Sequence, residues 1–581
     1  MPRAPWNRGC FSQWRLAVSG IALSAGCFAW LALSPRPAHA ELEPEAWKAF
    51  ESASFRLLSN SDSAFSTQIL LDLERFRRAF AQLAPGLDSS FPVPTQIVAF
   101  RDGESYAPFK SESDSAGVRI LGQFLGHRDG NYITLNADPR WSGGLGIVLH
   151  EYVHHIINQN LPGVPRWLNE GFAEYYSTFR VEGRFAVVGR PVERHLRWWR
   201  HNRVVSVSEV IGESSDAAVH SVGGAGRYYA VSWGLTHYLL SQPHGTDTIA
   251  SYLEAVASGA DRAEALLLIL GVSARELEAE LRDYVGAESL PATSLALEAL
   301  GEVGITEVES SPATALTVLG ELAARLGNEH HAEELFYLAL SHEPESAEAL
   351  VGLASLRDEQ GRIEEGGVLF DDALALGPKS ARSYLRYGRH LLQTIDSERS
   401  PNAENAAENA AESAAQSTED LAREAKISFL TAAALEPSFA EAQVMLAFVH
   451  LFDGLEAKEG LSFGERARAL LPTRIDVVHT LIRLHLKRGS IGRADELLEG
   501  ALAVLAEREF QDRVRDEIRR AEFLLAARAA LSDGRWDEGV DFFDQAISHT
   551  EDLGIRLRME EQLEKLEQRA DREAAAARSV R

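Results

Sequence analysis

Hydrophobic positions change their spacing twice along this chain, and each change marks a different architecture. Between residues 41 and 140 short alternating runs flank one helical run. Phe55-Arg56-Leu57-Leu58 reads as a short strand. Ile69, Leu70, Leu73, Phe76, Phe80 and Leu83 then recur at helical spacing, and Pro85 marks the stop. Thr95 to Phe100 reads as a second strand. Ile120 to Leu125 and Tyr132 to Leu135 pair as a hairpin around the turn signal Asp129-Gly130. A helix over Ile147 to Ile157 follows, and Leu161-Pro162-Gly163-Val164-Pro165 breaks it. Pro165 opens a second helix, on which Trp167, Leu168 and Phe172 can pack. Apolar clusters at Trp233 to Leu239 and Leu266 to Leu270 make 228–285 helical again. Strands followed by helices predict an α+β domain over 41–290.

From about residue 311 the pattern becomes a repeat. Ala332, Phe336, Ala339 and Pro344 return 34 residues later as Gly366, Phe370, Ala373 and Pro378. Ala425, Phe429, Ala432 and Pro437 carry the same signature. Weaker copies follow at Gly460, Ala467 and Pro472, at Ala494, Leu498 and Ala501, and at Gly539, Phe543 and Ala546. The unit resembles the tetratricopeptide repeat, a helical hairpin with small residues where its helices touch. The expectation is an all-α solenoid over 300–575. Residues 396–420 interrupt it with an Ala/Asn/Glu background that lacks Val, Ile, Leu, Phe and Met. Such a stretch buries too little apolar surface to offset ordering, so it reads as a disordered or marginally helical spacer.

Length and charge narrow the function. At 581 residues two or three domains are expected, and a net charge of −27 excludes nucleic acid as the main partner. Residues 1–40 read as a secretory signal. Arg3, Arg8 and Arg15 precede a run of apolar or small residues from Leu16 to Leu33, and Ala38-His39-Ala40 is a cleavage site. Both cysteines, Cys10 and Cys27, lie in this segment, so the mature chain has neither disulfides nor cysteine-bound zinc. The chain is expected to be exported, periplasmic or secreted, and held at a membrane only if the segment stays uncleaved.

The chemistry lies in His150-Glu151-Tyr152-Val153-His154, with Glu170 sixteen residues after the second histidine. Histidines four apart share one helix face, while Leu149, Val153 and Ile156 occupy another and can anchor it. Two imidazoles and the Glu170 carboxylate are three ligands for one zinc ion, with a fourth position open for water or substrate. Glu151 stands where it can act as general base on a zinc-activated water. Glu174, one turn beyond Glu170, is read as accepting a hydrogen bond from a ligand histidine. His155 points about a quarter-turn away and reads as a structural or surface residue. Asp129 and Asp138 read as turn residues.

With Asn169-Glu170-Gly171-Phe172-Ala173-Glu174, the His-Glu-x-x-His run resembles the gluzincin metallopeptidases, and Pro165 to Gly171 resembles the bacterial peptidase MA-like family. The resemblance implies a zincin-like α+β catalytic domain and peptide-bond hydrolysis. It implies that Tyr229 stabilises the oxyanion and that the strand Tyr132 to Leu135 offers an edge to an extended peptide. A metzincin is disfavoured, because Ile157 and Asn160 replace the glycine and third histidine that it needs. The expectation is an exported zinc metallopeptidase acting on a peptide or protein, its repeats docking a protein partner or substrate in their concave groove. The competing reading is a catalytically silent envelope scaffold in which the repeats carry protein binding.

Overall fold

The computed structural model describes residues 47–89, 95–110, 122–138, 144–161, 163–202, 206–212, 224–398, 408–501, 508–550 and 553–579. The expected signal segment, both cysteines and residues 399–407 of the expected spacer lie outside them.

The N-terminal part is built on a mixed sheet. β1 (Lys48–Glu51), β2 (Arg56–Ser59), β3 (Thr95–Phe100), β4 (Gly122–Leu125), β5 (Asn131–Asn136) and a late strand β9 (Thr306–Val308) lie in the order β4-β5-β3-β2-β1-β9. β2, β3 and β5 run parallel, whereas β4 and β1 are antiparallel to their neighbours. Helix α1 (Ser63–Leu83) starts where Asp62 accepts the Phe65 N–H, and it buries Leu70, Leu73, Phe76 and Phe80 against the sheet core.

The predicted hairpin forms, but its edge is not where the resemblance put it. β5 pairs with β3 on one side and β4 on the other, and all six of its residues are buried. The outer strand is β4. With β3 and β4 on its two sides, β5 has no unpaired rim to offer an extended peptide.

Helix α2 (Gly144–Asn160) lies along β4 and β5, with Val148, Leu149, Tyr152, Val153, Ile156 and Ile157 each at most 1% exposed. This apolar face fixes its rotation. Helix α3 (Arg166–Tyr176) follows, with Pro165 as the residue before its first turn rather than inside it. β6 (Arg180–Glu182) and β7 (Phe185–Val188) form a hairpin, to which β8 (Thr293–Ala296) adds a third strand. Between β7 and β8 run α4 (Glu193–His201), α5 (Val207–Gly212), α6 (Gly224–Ser241), α7 (Gly245–Ala257), α8 (Arg262–Leu270) and α9 (Ala274–Val285).

The expected boundary at 290–300 moves. β8 belongs to the small sheet, and β9 pairs with β1 through Ala49 and Val308. Both strands are short and mostly exposed, so they carry no alternating apolar signal.

After β9 the chain is entirely helical among the described residues. The hairpins are α10 (Pro312–Arg325) with α11 (Glu329–His342), α12 (Ala347–Glu359) with α13 (Ile363–Leu376), and α14 (Ala381–Glu398) with α15 (Glu408–Leu435). They continue as α16 (Ala440–Val449) with α17 (Ala457–Leu470), α18 (Ile475–Lys487) with α19 (Ile491–Ala501), and α20 (Arg508–Ser532) with α21 (Trp536–Ser548); α22 (Leu553–Ser579) ends the array. Residues 408–420 of the expected spacer form the first turns of α15. The repeat signature is a packing rule. A Cβ at Gly352 would sit 2.4 Å from the Phe336 ring, and one at Gly388 2.4 Å from the Phe429 ring. Small residues let each aromatic lie against the neighbouring backbone. Among the described residues no helix is long and apolar enough to cross a membrane.

Candidate metal centre

The helix pair α2 and α3 brings His150, His154 and Glu170 together, with their ligand atoms within 4.8 Å of one another. Nε2 of His150 lies 3.1 Å from Nε2 of His154. Oε2 of Glu170 lies 3.5 Å from the first and 3.3 Å from the second. That oxygen is buried and accepts no well-aligned hydrogen bond among the described residues. Burial works against the Glu170 charge, yet the two imidazoles outweigh it and hold the carboxyl at about 2. The His154 imidazole is also desolvated, but Glu170 overrides this and raises its pKa.

The imidazole faces are set from behind. Nδ1 of His154 is 2.9 Å from Oδ1 of Asn169, whose amide donates to Asn158 at 3.0 Å. An amide oxygen only accepts, so Nδ1 carries a proton, and in the neutral ring Nε2, on the side of Glu170, is the atom with a free lone pair. Glu174 does not make the expected hydrogen bond to a ligand histidine, because its Oε1 is 3.8 Å from Nδ1 of His150. Arg194 donates to Glu174 instead, and Nε2 of His195 lies 3.0 Å from it. Glu174 is buried, which opposes ionisation, but His195 and Arg194 lower its pKa. His195 itself is buried and stacks on Trp233.

A divalent cation fits this donor set, since neutral imidazoles and a carboxylate are ordinary zinc ligands.

Glu151 is half-buried on α2 between the two histidines, close enough to influence His154 and Tyr229 electrostatically. Tyr229 on α6 is half-buried, and its ring centre is 6.4 Å from that of His150. Burial, then the Glu170 charge, push its hydroxyl up to about 12, so at neutral pH it keeps its proton and can donate it. Tyr228, its neighbour, is buried in the core. Ile147, His150, Glu174, Arg194, Trp198 and Tyr229 line a cleft of about 610 Å³ beside the triad. His155 stays out of the triad and packs on Phe124 of β4, its ring centre 5.2 Å away.

α6 reaches the site because α3 lets it approach. A Cβ at Gly171 would lie 1.9 Å from Thr236 Oγ1 and 2.6 Å from the Ser232 carbonyl. The glycine beside Glu170 is therefore where the helix carrying Tyr229 crosses. In the sequence, Gly171 and Asn169 read as motif letters without these roles. His195 and Arg194 carry no signal there, since they sit on a separate helix with no metal-ligand spacing of their own.

A family described as "Protein of unknown function (DUF1570)" matches residues 145–260, the stretch from α2 to α7. No curated protein matches the chain. Among solved structures, the chain is similar to YrrB, described as a TPR protein with an unusual peptide-binding site. That match has 15% identity and a TM-score of 0.27, and covers 34% of this chain and 89% of that one. PilW, titled a widely conserved type IV pilus biogenesis factor, is 16% identical with a TM-score of 0.30, over 43% of this chain and all 100% of its own. A tetratricopeptide repeat protein from Parabacteroides merdae is 15% identical with a TM-score of 0.26, over 55% of this chain and 97% of its own. The repeat architecture given above rests on this chain's own packing at Gly352 and Gly388.

Proposed function

We propose that the chain is an exported zinc-dependent metallopeptidase whose helical array serves protein contacts. One observation carries this reading: His150, His154 and Glu170 bring their donor atoms within 4.8 Å of one another, and His150 also lines a cleft that holds Tyr229. A zinc ion held by these three residues would supply a Lewis acid there. Glu151 takes a proton from the attacking water and returns it to the departing amine, which splits the peptide bond into an acid and an amine. Tyr229 donates its hydroxyl to the oxygen that becomes negative as the carbonyl carbon turns tetrahedral. Asn169 holds the His154 tautomer, and Glu174 holds Arg194 and His195 at the cleft wall. Export rests on the signal-like first forty residues.

The test is Glu151→Gln in the full chain. Hydrolysis of an unfolded protein mixture should be lost while one zinc per chain is retained. Unchanged hydrolysis removes Glu151 from the mechanism, and zinc content unaffected by His150→Ala removes the metal site.

A second reading, a binding scaffold, is favoured by one specific pattern. Val368 and Ile427 lie two residues before the signature Phe370 and Phe429, and they are 62% and 64% exposed. Leu376 and Leu435, six residues after the same pair, are 42% and 49% exposed. Apolar residues repeating at equivalent exposed positions suit a partner. One zinc per chain with no turnover of any peptide library would favour this reading over hydrolysis.

A further inference from the structure

The turn between β4 and β5 is bound by the helical array, and the chemistry of that contact goes beyond the metal site. Asp129, read from the sequence as a turn residue, is at the turn but only 3% exposed. Its carboxylate accepts from Arg325 of α10, from Nε of Arg386 on α14 at 3.2 Å, and from Nδ1 of His127 at 2.6 Å. Its backbone carbonyl accepts from Nε of Arg382 at 3.0 Å. Behind it, Glu321 of α10 accepts from Arg382 at 2.9 Å, from Arg386 at 2.7 Å and from the Tyr132 hydroxyl of β5. Arg128, the preceding residue, reaches Asp476 on α18 at 3.3 Å. Consecutive residues of one turn thus touch both early and late hairpins of the array.

Buried ion networks add little stability over apolar packing, but each member is costly to remove and sets which surfaces meet. The register they set here concerns the outer strand. Phe124 of β4 packs on Tyr152 and His155 of the metal-site helix, at ring distances of 6.5 and 5.2 Å. A cavity of about 170 Å³ remains beside Asp129 and Arg386, bordered by Arg389 and Gln393.

We propose that the face formed by α10 and α14 is a carboxylate-selective clamp whose occupant is the chain's own Asp129, and that it holds β4 against the helix carrying His150 and His154. This stretch of the array is consequently filled from within. The expected partner or substrate in the concave groove has to bind elsewhere along the array, or displace the turn with a carboxylate of its own.

The experiment needs no catalytic readout, so it stands apart from the peptidase reading. Full-length wild type, Asp129→Ala and the double variant Asp129→Ala/Arg386→Ala are melted in sodium acetate and in sodium chloride of equal ionic strength. Acetate should raise the melting temperature of Asp129→Ala by at least about 2 °C over chloride, by binding the vacated arginines. It should leave wild type and the double variant unmoved. Equal shifts in all three proteins, or none in any, overturn the clamp. Hydrogen exchange across residues 122–136 is the second measurement. It should quicken about tenfold in Asp129→Asn, which keeps the shape of the side chain and loses its charge, while exchange in α20 and α21 stays as in wild type. Unchanged exchange in 122–136 would show that the array does not hold the strand.

Discussion

Asn169 and His154 face each other across 2.9 Å, amide oxygen to Nδ1, and this contact decides which imidazole nitrogen looks toward Glu170. Removing a partner that orients a metal ligand typically weakens metal binding by about 10–100-fold. Asn169→Ala should therefore lose zinc affinity by about that factor, read by competition with a chromophoric chelator. Unaltered affinity would mean that packing alone holds the His154 ring.

Under the proposed peptidase reading, Glu151→Gln separates metal binding from catalysis. The amide cannot take a proton, and a positioned base is worth about 10²–10⁴-fold in rate. Hydrolysis of a quenched peptide library should fall at least about 100-fold, with zinc content unchanged.

Tyr229→Phe tests the hydroxyl held protonated at the cleft. Losing one oxyanion donor typically reduces kcat by about 10²–10³-fold. The expected result is a fall of that order in kcat with KM nearly unchanged, since the interaction forms only as charge develops. A rise in KM alone would make Tyr229 a substrate-binding residue instead.

Gly171→Ala places a methyl group into Thr236 and the Ser232 carbonyl, where backbone as well as side chain must give way. Overpacking of this kind costs about 1–3 kcal/mol, and the displacement falls on the helix carrying Tyr229. Urea unfolding should register the loss of stability, and turnover should drop further than in a variant of equal stability loss in the array.

Acid should release the array from the turn. Burial opposes ionisation of Glu321, but Arg386 and Arg382 prevail and hold it at about 2, below the ordinary 4.5. Asp129, also desolvated, is held well below its usual range by His127, Arg386 and Arg325, while Glu359 nearby is raised by burial. A depressed folded-state pKa gives stability that is complete above the unfolded value and lost as pH falls through the folded one. The contribution of Glu321 is thus present above about 4.5 and disappears toward about 2. Urea midpoints should fall across that window in wild type and more shallowly in Glu321→Gln.

What could be read in advance follows from what is local. The His150 and His154 pair, the Glu170 partner, the β4–β5 hairpin and the 34-residue hairpin signature all depend on spacing within one or two elements. The structure adds what depends on distant chain. Asp129 meets Arg325 and Arg386 across nearly two hundred residues or more, and no periodicity announces such a pairing. His195 and Arg194 look like ordinary members of a basic helix until α4 is placed beside Glu174. Spacing alone points Glu174 at His150, but the shorter contacts of Arg194 and His195 claim it.

Strand β9 has a consequence for how the chain is inherited and cut. Val308 pairs with Ala49, so the sheet that supports the helix carrying His150 and His154 is completed by residues lying past any boundary drawn at 290–300. Truncation there would leave β1 with an unprotected rim, a ready template for self-association. A gene fusion that borrowed the solenoid from residue 300 onward would carry away a plank of its neighbour's floor, so the two halves should travel through evolution together.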